Sequence, residues 1–229
     1  MKNKTDSNVY KVKFIIVGDA FVGKTNIFSR YTKGEYLKES QSTISVEFQT
    51  ETVKVNDVIF KLQLWDTAGS EQFRSIIRGY YHDAACCLLV YDITNKNSFD
   101  SLDYWVEECK NNSNKNIIMI LIGNKCDNEK ARQIEESEGE FTAERYGMKF
   151  FEASALTGYN IKEIFEYAFT KVYENIVEGK YNFDDENFSC GVKRVEMAED
   201  YSFNSAPTIK FTLKKDKADK KKKKKKKKC

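Results

Sequence analysis

Gly18-Asp19-Ala20-Phe21-Val22-Gly23-Lys24-Thr25 is the stretch on which the reading of this chain turns. It follows a β-branched and aromatic run, Val9 to Val17, and opens a helical pattern from Lys24 to Tyr31. A loop of the form G-x-x-x-x-G-K-[ST] between a strand and a helix curls its backbone so that successive N–H groups, and the positive end of the helix, face one point. Such a point holds phosphate. Asp19, Ala20, Phe21, Val22 and Gly23 form the cradle, Lys24 bridges the β- and γ-phosphates, and the Thr25 hydroxyl is placed for Mg²⁺. By itself the motif specifies a nucleoside triphosphate and no particular base.

Working outward, further apolar runs recur at Val46 to Val55, Val58 to Trp65, Cys86 to Tyr91, Ile117 to Ile122 and Lys149 to Glu152. Between them, Ser98 to Lys110, Glu138 to Tyr146 and Ile161 to Ile176 carry apolar residues three and four apart, the spacing of amphipathic helices. This alternation predicts an α/β fold, a P-loop NTPase domain whose mostly parallel six-stranded sheet has helices on both faces. The periodicity fades after Gly179. The chain is therefore divided into a flexible N-terminus (1–8), one domain (9–178) and a flexible tail (179–229) that ends in a polylysine run and Cys229.

Composition agrees with one globular domain plus a tail: 229 residues, 41% hydrophobic, and a single proline, Pro207. No stretch approaches the ~18 apolar residues of a membrane span, the N-terminus lacks a signal-peptide core, and the six cysteines show no disulfide framework. A cytoplasmic monomer is expected. The net charge of +3 conceals a division: 13 lysines against two aspartates after residue 209 give the tail +11, which leaves −8 on residues 1–209.

Two further loops choose the ligand. In Asn124-Lys125-Cys126-Asp127, the Asp127 carboxylate can accept from both N1–H and the exocyclic amine of guanine, whereas adenine offers a lone pair at N1. Lys125 can lay its stem along the base, and Asn124 can tie this loop to the phosphate loop. Asp66-Thr67-Ala68-Gly69 ends a strand, so that Asp66 reaches Mg²⁺ and the Gly69 N–H reaches the γ-phosphate. Thr43 is a second loop ligand for the metal, engaged when its loop closes on the γ-phosphate. The metal set is thus Thr25, Thr43 and Asp66, and the cofactors are GTP/GDP and Mg²⁺.

These segments, with Ser154-Ala155-Leu156, resemble the five nucleotide motifs of Ras-superfamily small GTPases over about residues 9–178. Ile44-Ser45-Val46-Glu47-Phe48 and Phe73-Arg74-Ser75-Ile76-Ile77-Arg78-Gly79-Tyr80-Tyr81 are similar to the segments that mark the Rab family. The resemblance implies that Tyr36 stacks on guanine, that the Ala155 N–H meets the base oxygen, and that Phe48, Trp65 and Tyr80 form a surface read by effectors. It also implies an exchange factor, an activating protein, and a GTP/GDP switch in vesicle traffic. Lys24, Thr43, Gly69 and the next residue would act in hydrolysis.

That next residue is where the chain departs from the family: Ser70 stands in place of the glutamine that orients the attacking water. A hydroxyl on so short a stem predicts slow intrinsic hydrolysis, and the resemblance implies an activating protein that brings its own glutamine and arginine. The alternative is a GTP-bound interaction scaffold that hydrolyses little. Phe21 and Ser45 also replace smaller residues. At the tail, Cys229 with the lysines 220–228 provides one site for a prenyl group and a polybasic patch, a two-signal anchor for an anionic membrane. With neither arginine nor aromatic between Lys214 and Lys228 to stack on bases, no nucleic-acid partner is expected.

Overall fold

Strand β1 (Val9–Val17) shows how the sequence builds its layers. In its first half Tyr10, Val12 and Phe14 are buried while Lys11 is exposed and Lys13 half-buried; from Phe14 to Val17 every residue is buried. One end of the strand is thus covered on a single face and the other end on both. The computed structural model describes residues 8–38, 46–67, 74–181, 183, 191–195 and 207–209, with only the backbone of 74–77.

After β1 come α1 (Lys24–Lys33), β2 (Glu47–Val55), β3 (Val58–Asp66), α2 (Arg74–Tyr81), β4 (Cys86–Asp92), α3 (Lys96–Asp100) and α4 (Leu102–Asn112). The domain continues through β5 (Ile118–Asn124), α5 (Glu136–Tyr146), β6 (Lys149–Ala153) and α6 (Ile161–Val177). In the order β6-β5-β4-β1-β3-β2 all neighbours are parallel except the β2/β3 hairpin, as the sequence alternation requires. Strand β4 is buried along its whole length, the mark of a strand covered on both faces.

Two cores result. On one face Ile161, Ile164, Phe165, Ala168, Phe169 and Val172 of α6 and Ile27 and Phe28 of α1 pack on Phe14, Phe60 and Leu62. Phe169 lies 5.1 Å from Phe14 and 5.6 Å from Phe60, ring centre to ring centre. Burial of a side chain that size is worth about 2–3 kcal/mol. On the other face Leu102, Trp105, Val106 and Cys109 of α4 pack on Ile15, Val17, Cys87 and Leu89.

Three features differ from the sequence reading. The helix expected over 98–110 is two helices, because Asn95 accepts the Asn97 N–H (3.1 Å) and Ser98 bonds back to Asn95 (2.7 Å), closing a short capped turn before α4. Helix α2 forms where the sequence pattern predicts no element. The sheet, expected to hold six strands with the tail outside it, has eight among the described residues. Strand β7 (Val192–Arg194) runs antiparallel to β1 below the start of β4, and β8 (Thr208–Ile209) runs parallel to the outer edge of β2. The Lys13 N–H donates to the Gly191 carbonyl at 3.2 Å and the Lys54 N–H to the Pro207 carbonyl at 2.9 Å. Both strands satisfy backbone groups that would otherwise face an open sheet edge. Buried Tyr181, with Phe183 resting 5.4 Å from the Tyr10 ring, leads the chain back from α6 toward β7.

Candidate functional site

At the C-terminal ends of β1, β3, β4 and β5, loops bring together residues far apart in sequence, the position where open α/β sheets bind ligands. The phosphate loop leaves β1 at Gly18, whose φ of +139° and closeness to β4 exclude any side chain: a Cβ there would sit 2.1 Å from the Val90 carbonyl oxygen. At Gly23, with φ +97°, a Cβ would strike the Asn124 side chain at 2.3 Å. Between them Phe21 adopts a left-handed φ of 64° and leaves its ring 66% exposed.

Lys24 is buried and donates to the carbonyls of Gly18 (2.9 Å) and Asp19 (2.6 Å). Burial lowers its pKa to about 8 against the pull of Asp66 and Asp19. Thr25 donates to Asp66 Oδ2 at 2.6 Å, and Asp66 is lifted to about 6 by burial, opposed by Thr25 and Lys24. Asp66 Oδ1 is buried and, among the described residues, has no hydrogen-bond partner. A hydroxyl and a carboxylate side by side, one carboxylate oxygen uncompensated, are the donor set that a hard divalent cation takes, so the residues present fit Mg²⁺. The buried Thr67 hydroxyl bonds the Ile16 carbonyl at 2.7 Å and fixes the end of β3 against β1.

The loop from Asn124 to Asp127 is cross-linked to this cradle. Asn124 donates from Nδ2 to the Val22 carbonyl (2.8 Å) and accepts at Oδ1 from the Ala155 N–H (3.2 Å), so one side chain joins three loops. Lys125 reaches the Phe21 carbonyl (2.9 Å) and Asp92 Oδ2 (2.7 Å). Ser154 donates to Asp127 Oδ1 at 2.5 Å and accepts the Thr157 N–H at 3.0 Å. A hollow of about 280 Å³ lies between Asn124, Lys125, Asp127, Ala155, Leu156 and Tyr36. The Leu37 N–H donates to Asn26 Oδ1 at 2.8 Å, which holds the segment next to Tyr36 at the rim.

All described members of the sequence-read set converge here: Asp19, Ala20, Phe21, Val22, Gly23, Lys24, Thr25, Tyr36, Asp66, Asn124, Lys125, Asp127, Ser154, Ala155 and Leu156. Thr43, Gly69 and Ser70 lie outside the described residues, as do Ser45 and the lysines 220–228 with Cys229. Phe48, Trp65 and Tyr80 form one contiguous group, with centroids 4.8 Å apart for Phe48 and Trp65 and 5.2 Å for Trp65 and Tyr80. His82 is exposed and faces Asp83.

Three contributors escaped the sequence reading. Asp92 orients Lys125; its place at the end of β4 on the ligand edge was a usable signal. Trp105 donates its indole N–H to Asp19 Oδ1 at 2.8 Å and so steadies the phosphate loop from α4. Arg30 donates to the carbonyls of Ala155 (2.8 Å), Leu156 (2.7 Å) and Gly34 (2.8 Å), clamping α1 to the loop that carries Ser154, Ala155 and Leu156. Nothing in the local pattern around Arg30 announces a partner 125 residues away.

Comparison with known proteins gives the family. A model of the Ras family matches residues 13–174. The chain is 39% identical to the Ras-related protein RABA5e of Arabidopsis thaliana over 83% of its own length and 88% of the relative. It is 45% identical to the Ras-related protein Rab-2B of Dictyostelium discoideum over 71% and 81%. With the Ras-related protein Rab11A of Lotus japonicus it shares 42% identity over 80% of each. The family match spans the phosphate loop and the loop that Asn124 ties to it, and on that match the chain belongs to the Ras family, as a Rab-type small GTPase.

Proposed function

We propose that the chain is a guanine-nucleotide switch of vesicle traffic that cycles between cytosol and a cytosolic membrane face and hydrolyses GTP slowly unless an activating protein assists. The observation that carries the nucleotide reading is the linkage Val22–Asn124–Ala155, which makes the phosphate cradle and the base pocket one rigid unit. Lys24 holds the β- and γ-phosphates, exchanging its two carbonyl contacts for phosphate oxygens. Thr25 and Asp66, joined by Thr43, would hold Mg²⁺, which when bound neutralises charge on the phosphates. Asp127 accepts from the guanine edge while Ser154 fixes its carboxylate, Ala155 offers its N–H to the base oxygen, and Tyr36 closes the rim. Thr43 and Gly69 respond to the γ-phosphate and couple its presence to the surface carrying Phe48, Trp65 and Tyr80, where effectors bind.

Ser70 sets the rate. Its hydroxyl cannot span from the backbone to an attacking water as a glutamine does, which leaves intrinsic hydrolysis at roughly 10⁻⁴ s⁻¹ or below. Single-turnover hydrolysis of preloaded GTP should speed up in Ser70→Gln; equal rates in the two proteins would sink the idea. The same assay with an activating protein added separates the switch from the scaffold, since a scaffold stays GTP-bound.

The tail supplies the address. One prenyl chain on Cys229 binds membrane marginally, and the adjoining lysines add up to ~1 kcal/mol each on an anionic leaflet, less after screening. No helix among the described residues is long and apolar enough to cross a membrane. If Cys229→Ser remains on membranes in a flotation assay, lipid is not required and the two-signal anchor is wrong.

A further inference from the structure

The face of the sheet that carries α4 is apolar only at its upper end. Lower down, the register sets lysines side by side: Lys11 of β1 is paired with Lys61 of β3 on one side and with Lys193 of β7 on the other. Strands lie about 4.8 Å apart, so three ammonium-bearing side chains stand in one row across three strands, and like charges directly opposite one another are unfavourable. One residue-pair higher, Lys13 stands beside Gln63. Its Nζ donates to the His82 carbonyl at 2.8 Å and lies 5.4 Å from the Trp65 ring and 5.7 Å from the Tyr80 ring. Burial, and the neighbouring charge of Lys193, lower the Lys13 pKa, opposed by Asp83. Asp83 also meets Lys193 at 3.3 Å. A hollow of about 180 Å³ opens between Lys11, Lys13, Gln63, Trp65, Asp83 and Lys193. At the top of this surface Phe48, paired with Trp65, is 49% exposed.

Residues 1–209 carry a net charge of −8, so a row of lysines here runs against the average of the body. A fold that keeps like charges in register beside half-covered aromatics has a surface suited to a ligand that is both anionic and apolar. We propose that this face binds an acidic amphipathic segment of a partner protein, with apolar side chains on Phe48, Trp65 and Tyr80 and carboxylates on Lys11 and Lys193. The inference rests on the reading of the aromatic trio as the effector surface and adds the chemistry of the partner. It also gives the tail a second role: β7, through Lys193, becomes part of the surface that a partner reads. An anionic leaflet would match the lysines but presents no apolar side chains at headgroup depth to cover Phe48.

The test is a random 16-residue peptide display library panned on the full chain loaded with a non-hydrolysable GTP analogue. Lys220–Lys228 are each changed to Gln so that the tail does not capture acidic clones. Enriched peptides should combine Asp or Glu with Leu or Phe. Their Kd should weaken tenfold or more in Lys11→Glu/Lys193→Glu, with GDP release unchanged as the control for folding, and also in Trp65→Ala. Clones without acidic residues, or equal affinity for the charge-reversed protein, overturn the proposal. If Trp65→Ala abolishes binding while charge reversal does not, the effector surface stands and the acidic partner falls. If charge reversal alone matters, the trio is not the effector surface and the proposal falls with it. Protection of Lys11 and Lys193 from acetylation by phosphatidylserine vesicles, and not by the selected peptides, would make this a membrane face and overturn it as well.

Discussion

The two ends of the nucleotide site are built on opposite principles. At the base end the polar side chains Asn124, Lys125 and Ser154 are each tied to protein groups, and Arg30 spends its guanidinium on three backbone carbonyls. At the phosphate end Lys24 and Asp66 are buried charges moved toward neutrality, and one oxygen of Asp66 is without a partner among the described residues. The base end is preorganised by folding, so its geometry exists before any ligand arrives and would read a base at little further cost. The phosphate end concentrates desolvated charge that the carbonyls of Gly18 and Asp19 and the Thr25 hydroxyl compensate only in part, so a phosphate or metal ion bound there would feed directly into stability.

The largest effect should come from breaking the phosphate end. Lys24→Met removes an ammonium whose contacts to phosphate are charge-assisted, worth about 1.5–3 kcal/mol each, so GTP and GDP affinity should fall by at least ~100-fold. Titration with a fluorescent GDP analogue measures it. The nucleotide-free protein should lose little stability in the same change, because Met removes a buried charge together with its desolvation cost; a large drop in its melting temperature would mean that Lys24 stabilises the empty fold, as the tied side chains of the base end do. Asp127→Asn addresses the base end and should alter selectivity more than total affinity. The amide oxygen still accepts from Ser154, while its NH₂ faces the base as a donor, favouring xanthine, which carries an oxygen where guanine carries an amine. Guanine nucleotides should weaken by about 100-fold and xanthosine nucleotides gain. Competition between GTP and XTP reads this, and an unchanged ratio would remove Asp127 from base recognition.

The sequence made the six main strands and most of the site legible because each rests on a local pattern. Alternation in β3 and the i, i+3, i+4 spacing in α6 are forced by burial on one face, and the glycines of the phosphate loop are forced by the approach of Val90 and Asn124. What escaped is what only topology brings together. Arg30 and Ala155, or Trp105 and Asp19, have no local signature because their pairing depends on where α1, α4 and the loops end in space. Strands β7 and β8 are too short for alternation to stand out in a polar tail; their partners, the open flank of β1 and the edge of β2, decide them. The row Lys193–Lys11–Lys61 was equally hidden, because two of its strands pair across 50 residues and the third across more than 180.

The smallest effect tests the seam between the two ends. Phe21 offers its carbonyl to Lys125 from a left-handed backbone conformation, which costs an L-residue roughly 1–2 kcal/mol. Its ring is mostly exposed, so removal forfeits little burial. Glycine takes that φ without strain but enters with an entropic penalty of roughly 0.5–1 kcal/mol. Phe21→Gly should therefore stabilise the folded chain by about 0.5 kcal/mol, measured by urea denaturation, while the Lys125 contact, which is to backbone, survives. If the variant is instead destabilised by more than ~1 kcal/mol, the Phe21 ring has packing partners that its exposure does not reveal, and the junction between cradle and base loop depends on a side chain as well as on the backbone.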